Sequence, residues 1–395
     1  MNSLLRKLLI FAAFVAPLGA RIFAIPTPVG EFSLFRITIL ISLIIYIILN
    51  RFKLIIATTK KNKYSICYLL ALIFYALITV CWSRDISDWM RSSFFLLIAV
   101  IATILYSHCF RTEKELVLPF RGLFWGVLIQ SCIGWYEFFT GIYLFRNDVQ
   151  FRPIFGGFGL PIAMQYNANN FALLLFIGVC VSGICYLKSQ KWNIIYLIGG
   201  INFIILAFLT TSRSAIIGIL LLGVFLLISN GKKRPLFVII PLIVVFALPQ
   251  SVDYIQNTLQ FSFSAESGSD YIRTNLIKNG FHFLGKTWGM GVGAGQIANW
   301  ITSDAIYPTQ GIQAMHNWWM ELLTSYGIFM FAGYVIFYIK LFRDYYQRFK
   351  INKSGMAMMI CAAMFGFVIA AIGPSSALSI EWLWMFWGLC IAGQK

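Results

Sequence analysis

The order of apolar and polar positions along the chain is that of a protein threaded repeatedly through a bilayer. The apolar runs are continuous rather than alternating at every second residue, and polar links separate them. In hydrocarbon every backbone N–H and C=O needs an internal partner, so spans are helices or closed barrels. A spanning helix takes about 20 apolar residues, and continuous runs select helices over the alternating strands of a barrel. The pattern predicts helices near 8–24, 34–50, 65–81, 92–108, 118–139, 169–187, 193–210, 214–230, 235–249, 318–339, 355–372 and 380–393. Two links are long, approximately 140–168 and 250–317. The second predicts a surface helix over 268–284 and then the run Gly289-Met290-Gly291-Val292-Gly293-Ala294-Gly295. Loops of that length in a compact protein are usually functional. The expected fold is therefore all-α: one multi-pass membrane domain over 1–395, with about 12 transmembrane helices and a large, partly helical extracytoplasmic loop.

Composition supports lipid as the solvent. Of 395 residues, 59% are hydrophobic and 11% charged, against about 25% charged in a soluble domain. The formal net charge of +17 reads as basic cytoplasmic loops rather than as a nucleic-acid surface. One set of links is rich in lysine: Lys53, Lys60, Lys61 and Lys63; Lys188 and Lys191; Lys232 and Lys233; then Lys340, Lys350 and Lys353. These are expected in the cytoplasm, which puts both termini there. The opposite face carries Arg21, Arg36, Arg84, Arg91, Arg146, Arg152, Arg213 and Arg273 but only Lys278 and Lys286, whereas the cytoplasmic side has 14 lysines and seven arginines. A planar guanidinium grips phosphate with two parallel hydrogen bonds, and an ammonium is a point charge. The outer face thus reads as arranged for a phosphate-bearing ligand, the alternative being ion pairs with Asp85, Asp88, Glu137 or Asp148. The N-terminal stretch, with Arg6 and Lys7 ahead of an apolar run, has the look of a signal peptide but is expected to be a retained helix. The eight cysteines form no CxxC pair and read as small buried hydrophobes.

Three places carry candidate chemistry. Thr210-Thr211-Ser212-Arg213-Ser214 joins two apolar runs with almost no linker, so Arg213 sits at the membrane edge, where a charge is costly. An anionic ligand held by Arg213, with Ser212 and the helix start assisting, offsets that cost; the alternatives are snorkelling or a structural ion pair. His316, in Met315-His316-Asn317-Trp318, stands at the mouth of a helix with Glu321 five residues on. Its ordinary pKa near 6.5 suits a general base, although a lone histidine in such a place is more often structural. Of the other two histidines, His108 reads as incidental and His282 as packed or solvated. Arg152 precedes Pro153, and Asn167, Asn169 and Asn170 open an apolar helix, where they cap it or line a cavity for sugar hydroxyls. No HExxH, CxxC or GxSxG occurs, and the glycine run lacks the strand of a dinucleotide or P-loop site.

Taken in order, these residues resemble the O-antigen ligase and O-antigen polymerase family of bacterial surface-polysaccharide enzymes. Cys81-Trp82-Ser83-Arg84-Asp85 resembles its Trp-Ser turn, Glu137-Phe138-Phe139-Thr140-Gly141 its Glu-Phe-x-Thr-Gly stretch, and Asn167-Ala168-Asn169-Asn170 its Asn-rich helix start. Ser212-Arg213 resembles its Ser-Arg signature and Gly291-Val292-Gly293 its Gly-x-Gly loop. His316-Asn317 followed by Gly327 is similar to the ligase signature, with Met330 where a second glycine is expected. The resemblance covers roughly residues 65–340. It implies a glycosyltransferase on the outer face of the cytoplasmic (inner) membrane, with no metal and no cofactor. The implied donor is a glycan on undecaprenyl diphosphate, and the acceptor is a second glycan. Arg213 and Arg273 would hold the diphosphate and His316 would activate the acceptor hydroxyl; Arg152, Ser212, Asn167, Asn170 and Asn317 are further candidates for the diphosphate or sugar. A chain-length regulator and a flippase are the implied partners, and nucleic acid is not. The expected activity is polymerisation of lipid-linked repeat units into O-antigen, capsule or exopolysaccharide. The rivals are a ligase that moves finished polymer to a lipid A core, and a flippase or exporter of lipid-linked oligosaccharide.

Overall fold

A computed structural model of the chain describes residues 3–27, 30–51, 62–145, 151, 153–154, 157–165, 167–189, 193–230 and 269–394. The expected helix at 235–249, the stretch 250–268, and Arg146 and Arg152 lie outside the described residues. Among the described residues eleven helices form the bundle: α1 (Ser3–Val15), α2 (Leu34–Leu49), α3 (Lys63–Ile78), α4 (Ile86–Cys109), α5 (Glu113–Thr140), α6 (Ala168–Lys188), α7 (Asn193–Leu209) and α8 (Arg213–Asn230), then, further along the chain, Trp318–Asn352, Gly355–Ala370 and Glu381–Ala392. Residues 269–317 contribute α9 (Ser269–Lys286) and α10 (Ile297–Asp304), so the last three bundle helices are α11, α12 and α13. Among the described residues five elements are long and apolar enough to span a membrane: α3 with the turn that extends it to Trp82, α4, α5, α6 and α11. The remaining apolar helices are shorter. The chain is an all-α, multi-pass membrane protein.

Local sequence explains where the elements begin and end. The helix expected over 8–24 instead ends at Val15, where Pro17 and Gly19 turn the chain through a short 3-10 segment. An antiparallel hairpin, β1 (Ala24–Thr27) with β2 (Gly30–Ser33), follows. Helix α4 starts earlier than its apolar run, because the Asp85 side chain caps it by accepting from Asp88 N at 2.8 Å. Helix α5 opens on a capping box, with Thr112 and Glu115 satisfying each other's backbone N–H groups. Helix α11 runs 35 residues, because the apolar stretch continues into an amphipathic Lys- and Arg-rich tail.

Helix α6 lies at the centre, packed on α5, α7 and α12, and is almost wholly buried. Helix α8 packs on α12, α13 on α4, and α1 on α5 and α2. The two ends of the bundle differ. At one end Glu113 gathers Lys188 Nζ (2.6 Å), Arg348 Nη2 (2.9 Å) and Ser354 Oγ (2.7 Å), and Glu115 takes Arg6 at 2.5 Å. The N-terminus of α5, the C-termini of α6 and α11 and the start of α12 therefore meet there. The chain alternates, so the starts of α6, α8, α11 and α13 all lie at the opposite end. That end carries a cap with its own small core, in which Ile272, Leu276 and Phe283 of α9 meet Val292, Trp300 of α10 and Met315.

Candidate active site

The cap is docked by the segments that carried the resemblance. Backbone N–H groups of Arg84 and Asp85 both donate to Gln296 Oε1 at 2.9 Å, and Trp82 Nε1 donates to Gly291 O at 3.1 Å. The Arg84 guanidinium lies 3.7 Å from the Trp300 ring centre and pairs with Asp304. Glu137, buried near the end of α5, accepts from Ile162 N (2.8 Å) and Ala163 N (2.6 Å). It thereby fixes the segment that leads into α6. Gly141 closes α5 in the left-handed conformation.

The glycine run is explained by a break in α11. Gly327 has φ 76° and ψ −179° inside that helix, a region open only to glycine. The break frees carbonyl oxygens upstream of it. Val292 N donates to Thr324 O at 2.8 Å and Gly293 N to Ser325 O at 3.0 Å, while Ile328 N donates to Gly289 O at 2.8 Å. A Cβ on Gly327 would lie 2.3 Å from Gly289 O. The loop thus forms a backbone splice with the first turns of α11, just beyond His316.

His316 itself adopts a positive φ of 49°, with Asn317 next to it as the N-cap of α11. The Asn317 side chain accepts from Trp319 N (3.0 Å) and Met320 N (3.3 Å). His316 Nδ1 lies 3.4 Å from Gly373 O. A carbonyl oxygen only accepts, so this contact assigns the ring hydrogen to Nδ1 and leaves the lone pair on Nε2. Burial lowers the His316 pKa; the Gly373 carbonyl opposes that and the Arg273 guanidinium adds to it.

Gly373 belongs to the loop between α12 and α13, which the sequence reading did not single out. Its backbone is pressed between two other helix starts: a Cβ there would lie 2.4 Å from Ser214 Oγ of α8 and 3.5 Å from Asn169 Oδ1 of α6. Asn170 clasps the same loop, with Nδ2 donating to Ser375 O at 3.0 Å and Oδ1 accepting Ser375 N at 2.8 Å. Asn167 caps α6 through Asn170 N (2.9 Å) and donates to Ser375 Oγ at 2.6 Å. Both ends of the Asn170 amide hold this loop, whereas Asn167 holds it through its nitrogen and caps α6 through its oxygen. The apolar runs on either side and the Ile372-Gly373-Pro374-Ser375-Ser376 turn residues were the available signal for it.

Arg213 opens α8, immediately after Thr211 at φ 59° and buried Ser212, whose hydroxyl is 3.4 Å from that of Ser214. The Arg213 Nη2 donates to Asp270 Oδ1 at 2.7 Å, and Arg273, one turn on in α9, has Nη1 3.9 Å from the same oxygen. One carboxylate therefore holds two guanidinium groups, and each of them is about one-third exposed or less. The unit keeps a net positive charge and most of its N–H donors. Burial lowers the Arg273 pKa, Asp270 opposes the shift and Arg213 adds to it. Other arginines at this end are committed to acids, Arg36 to buried Glu381 and Arg84 to Asp304. The structure thus brings Arg213, Arg273, Ser212 and His316 to one end of the bundle, joined through Gly373, and gives Asn167, Asn170 and Asn317 fold-holding bonds there.

These features define a multi-pass helical membrane protein with a capped polar end that gathers two arginines and a histidine. The family model described as O-antigen ligase matches residues 198–335, a stretch that holds Arg213, Arg273, His316 and Gly327. Over 340 residues the chain is 26% identical to the teichuronic acid biosynthesis protein TuaE of Bacillus subtilis (strain 168), covering 80% of this chain and 69% of that protein. The chain is thus similar to the O-antigen ligase and polymerase family through the stretch that carries these groups, and over most of its length to a protein of teichuronic acid biosynthesis.

Proposed function

We propose that this protein is a polymerase that joins undecaprenyl-diphosphate-linked oligosaccharide repeat units into a surface polysaccharide, at the outer face of the cytoplasmic membrane. The observation that carries the reading is the pair Arg213 and Arg273, held by one carboxylate, beside a half-buried histidine whose Nδ1 contact with the Gly373 carbonyl leaves the lone pair on Nε2. In this reading the capped end faces outward and the Glu113 end, with Arg6, Lys188 and Arg348, faces the cytoplasm, as the distribution of lysine favours. The twelve-span topology, with both termini inside, goes with it.

The transfer balances with these groups alone. His316 Nε2 takes the proton of an acceptor hydroxyl as its oxygen bonds to the anomeric carbon of the donor glycan. The bond from that carbon to phosphate oxygen breaks, and the electron pair leaves with undecaprenyl diphosphate. Arg213 and Arg273 meet the charge that develops on the leaving diphosphate. Asp270 orients them while cancelling only one of their two charges. Loss of one such contact typically costs about 3 kcal/mol, roughly 100-fold in rate, and a positioned base contributes about 100- to 10,000-fold.

A ligase acting on a lipid A core or another acceptor is the second reading, favoured by the description of the matching family model. Met330, standing where the ligase signature has glycine, favours polymerisation. Cells lacking the protein separate the readings. Loss of a polymerase leaves single repeat units, and loss of a ligase leaves long polymer on its lipid carrier. Repeat units accumulating on the cytoplasmic face would instead indicate a flippase and overturn both.

A further inference from the structure

Two adjoining cavities lie at the capped end, away from the Arg213–Asp270–Arg273 unit. The first, about 310 Å³, is walled by Ser92 of α4, Ser325 and Tyr326 of α11, and Gln313, Ala314 and Met315 of the segment that runs directly into His316. Its far wall includes Ser376 and Ser379, from the loop whose Gly373 meets the His316 ring. The second, about 400 Å³, lies between the hairpin, α4 and the start of α13, and shares Arg91, Phe95 and Ser379 with the first. Each is within the size of small-molecule clefts, roughly 300–1,000 Å³.

Their chemistry differs from that of the arginine pair. Asp88 and Glu321 face Arg91 in the first cavity, and Glu31 and Glu381 face Arg21 and Arg36 in the second. Four carboxylates thus stand against three guanidiniums, so the joined space has no positive excess to attract phosphate. Arg36 is already paired with Glu381 and stacked 3.7 Å over Phe95, and Arg91 lies 3.7 Å from Asp88. The remainder is hydroxyls, amides and ring faces, namely Gln165, Thr27, Trp382 and Tyr326 among others. Carboxylates that accept from hydroxyls, donors that bind ring oxygens, and aromatic faces for C–H surfaces are what a polyol needs.

We propose that these cavities form the acceptor subsite, which binds the non-reducing sugars of the incoming glycan and delivers a hydroxyl to His316 from the side opposite the donor diphosphate. The proposal rests on the transferase reading above. It divides the end of the bundle in two, with diphosphate on Arg213 and Arg273 and sugar on the charge-balanced side. The loop holding Gly373 is the partition between them.

The test is a transfer assay on the full chain in nanodiscs. It uses a lipid-linked repeat unit as donor and a lipid-free oligosaccharide of the same repeat unit as acceptor. Arg91→Ala, at a half-exposed position, and the isosteric Glu321→Gln are compared with Arg213→Ala. The apparent KM for the acceptor is expected to rise about tenfold or more in both cavity variants, the scale of a lost hydrogen bond to a charged group. Their donor KM should stay within about twofold of wild type, and Arg213→Ala should show the reverse split. Direct binding of the acceptor oligosaccharide to His316→Ala protein should match wild type. Wild-type transfer with an unmoved acceptor KM in both cavity variants would overturn the subsite and leave the transferase reading standing. No transfer by the wild-type protein from any lipid-linked donor would overturn both.

Discussion

At the residue scale the proposed transfer turns on His316, whose base strength is set by what surrounds it. Burial and the Arg273 charge hold its pKa below the ordinary value, which is about 6.5. The neutral, proton-accepting form therefore persists to lower pH than for a free histidine. The acid limb of the transfer rate should therefore have its midpoint below about pH 6.5, the value for a free imidazole. Removing the positive charge in Arg273→Ala raises the His316 pKa, so the acid limb of the rate profile should move to higher pH, over and above any loss of rate. A profile of kcat/KM against pH for the two proteins checks the sign; an unmoved limb would separate the two residues. Arg213→Ala should lose about 100-fold in rate with folding intact, read from transfer and from thermal unfolding of the same sample. Arg213 and His316 stood out in the sequence because a charge or an imidazole at the edge of an apolar run needs a reason. Asp270 and Gly373 did not, since each meets its partner 57 positions away along the chain; the turn residues around Gly373 mark a loop but not what it meets.

At the scale of elements, the motifs are joints. The Trp82–Asp85 turn holds the cap, Glu137 holds the approach to α6, and Asn170 holds the α12–α13 loop against the histidine. Gly327→Ala would force a side chain into a backbone region open only to glycine, with Gly289 O in its way. It should cost about 1–3 kcal/mol from strain alone, and more from the clash, visible as a lowered Tm in detergent. Asn170→Ala leaves the Ser375 N–H and C=O without their partners, at about 1–3 kcal/mol for each buried group. It should also lower kcat by freeing Gly373 from its place beside His316. Apolar periodicity made the helices readable, and the surface helix expected over 268–284 is α9. Periodicity says nothing about where polar turns extend a helix, as at the capped start of α4, or where Pro17 and Gly19 end one at Val15. The splice of the glycine loop with α11 was likewise hidden, since backbone pairing leaves no side-chain signature.

At the scale of the whole molecule, the two ends of the bundle have different tasks. Carboxylates at the Glu113 end tie lysine and arginine into structural pairs, whereas at the capped end two guanidinium groups share one carboxylate, the surplus that the proposed function assigns to a diphosphate. The alternation of the helices requires Arg213 and His316 to be on one side of the bilayer. In a cysteine-free background, Ile306→Cys in the cap should react with an impermeant maleimide on intact cells. Lys350→Cys, at the far end of α11, should react only after permeabilisation.

The most direct measurement of the central claim uses purified protein in proteoliposomes with a defined lipid-linked repeat unit. Product length is followed for wild-type and His316→Ala proteins of equal thermal stability. Wild-type protein should release undecaprenyl diphosphate and build chains of many units, and His316→Ala should leave single units. Chains of wild-type length from well-folded His316→Ala protein would contradict it.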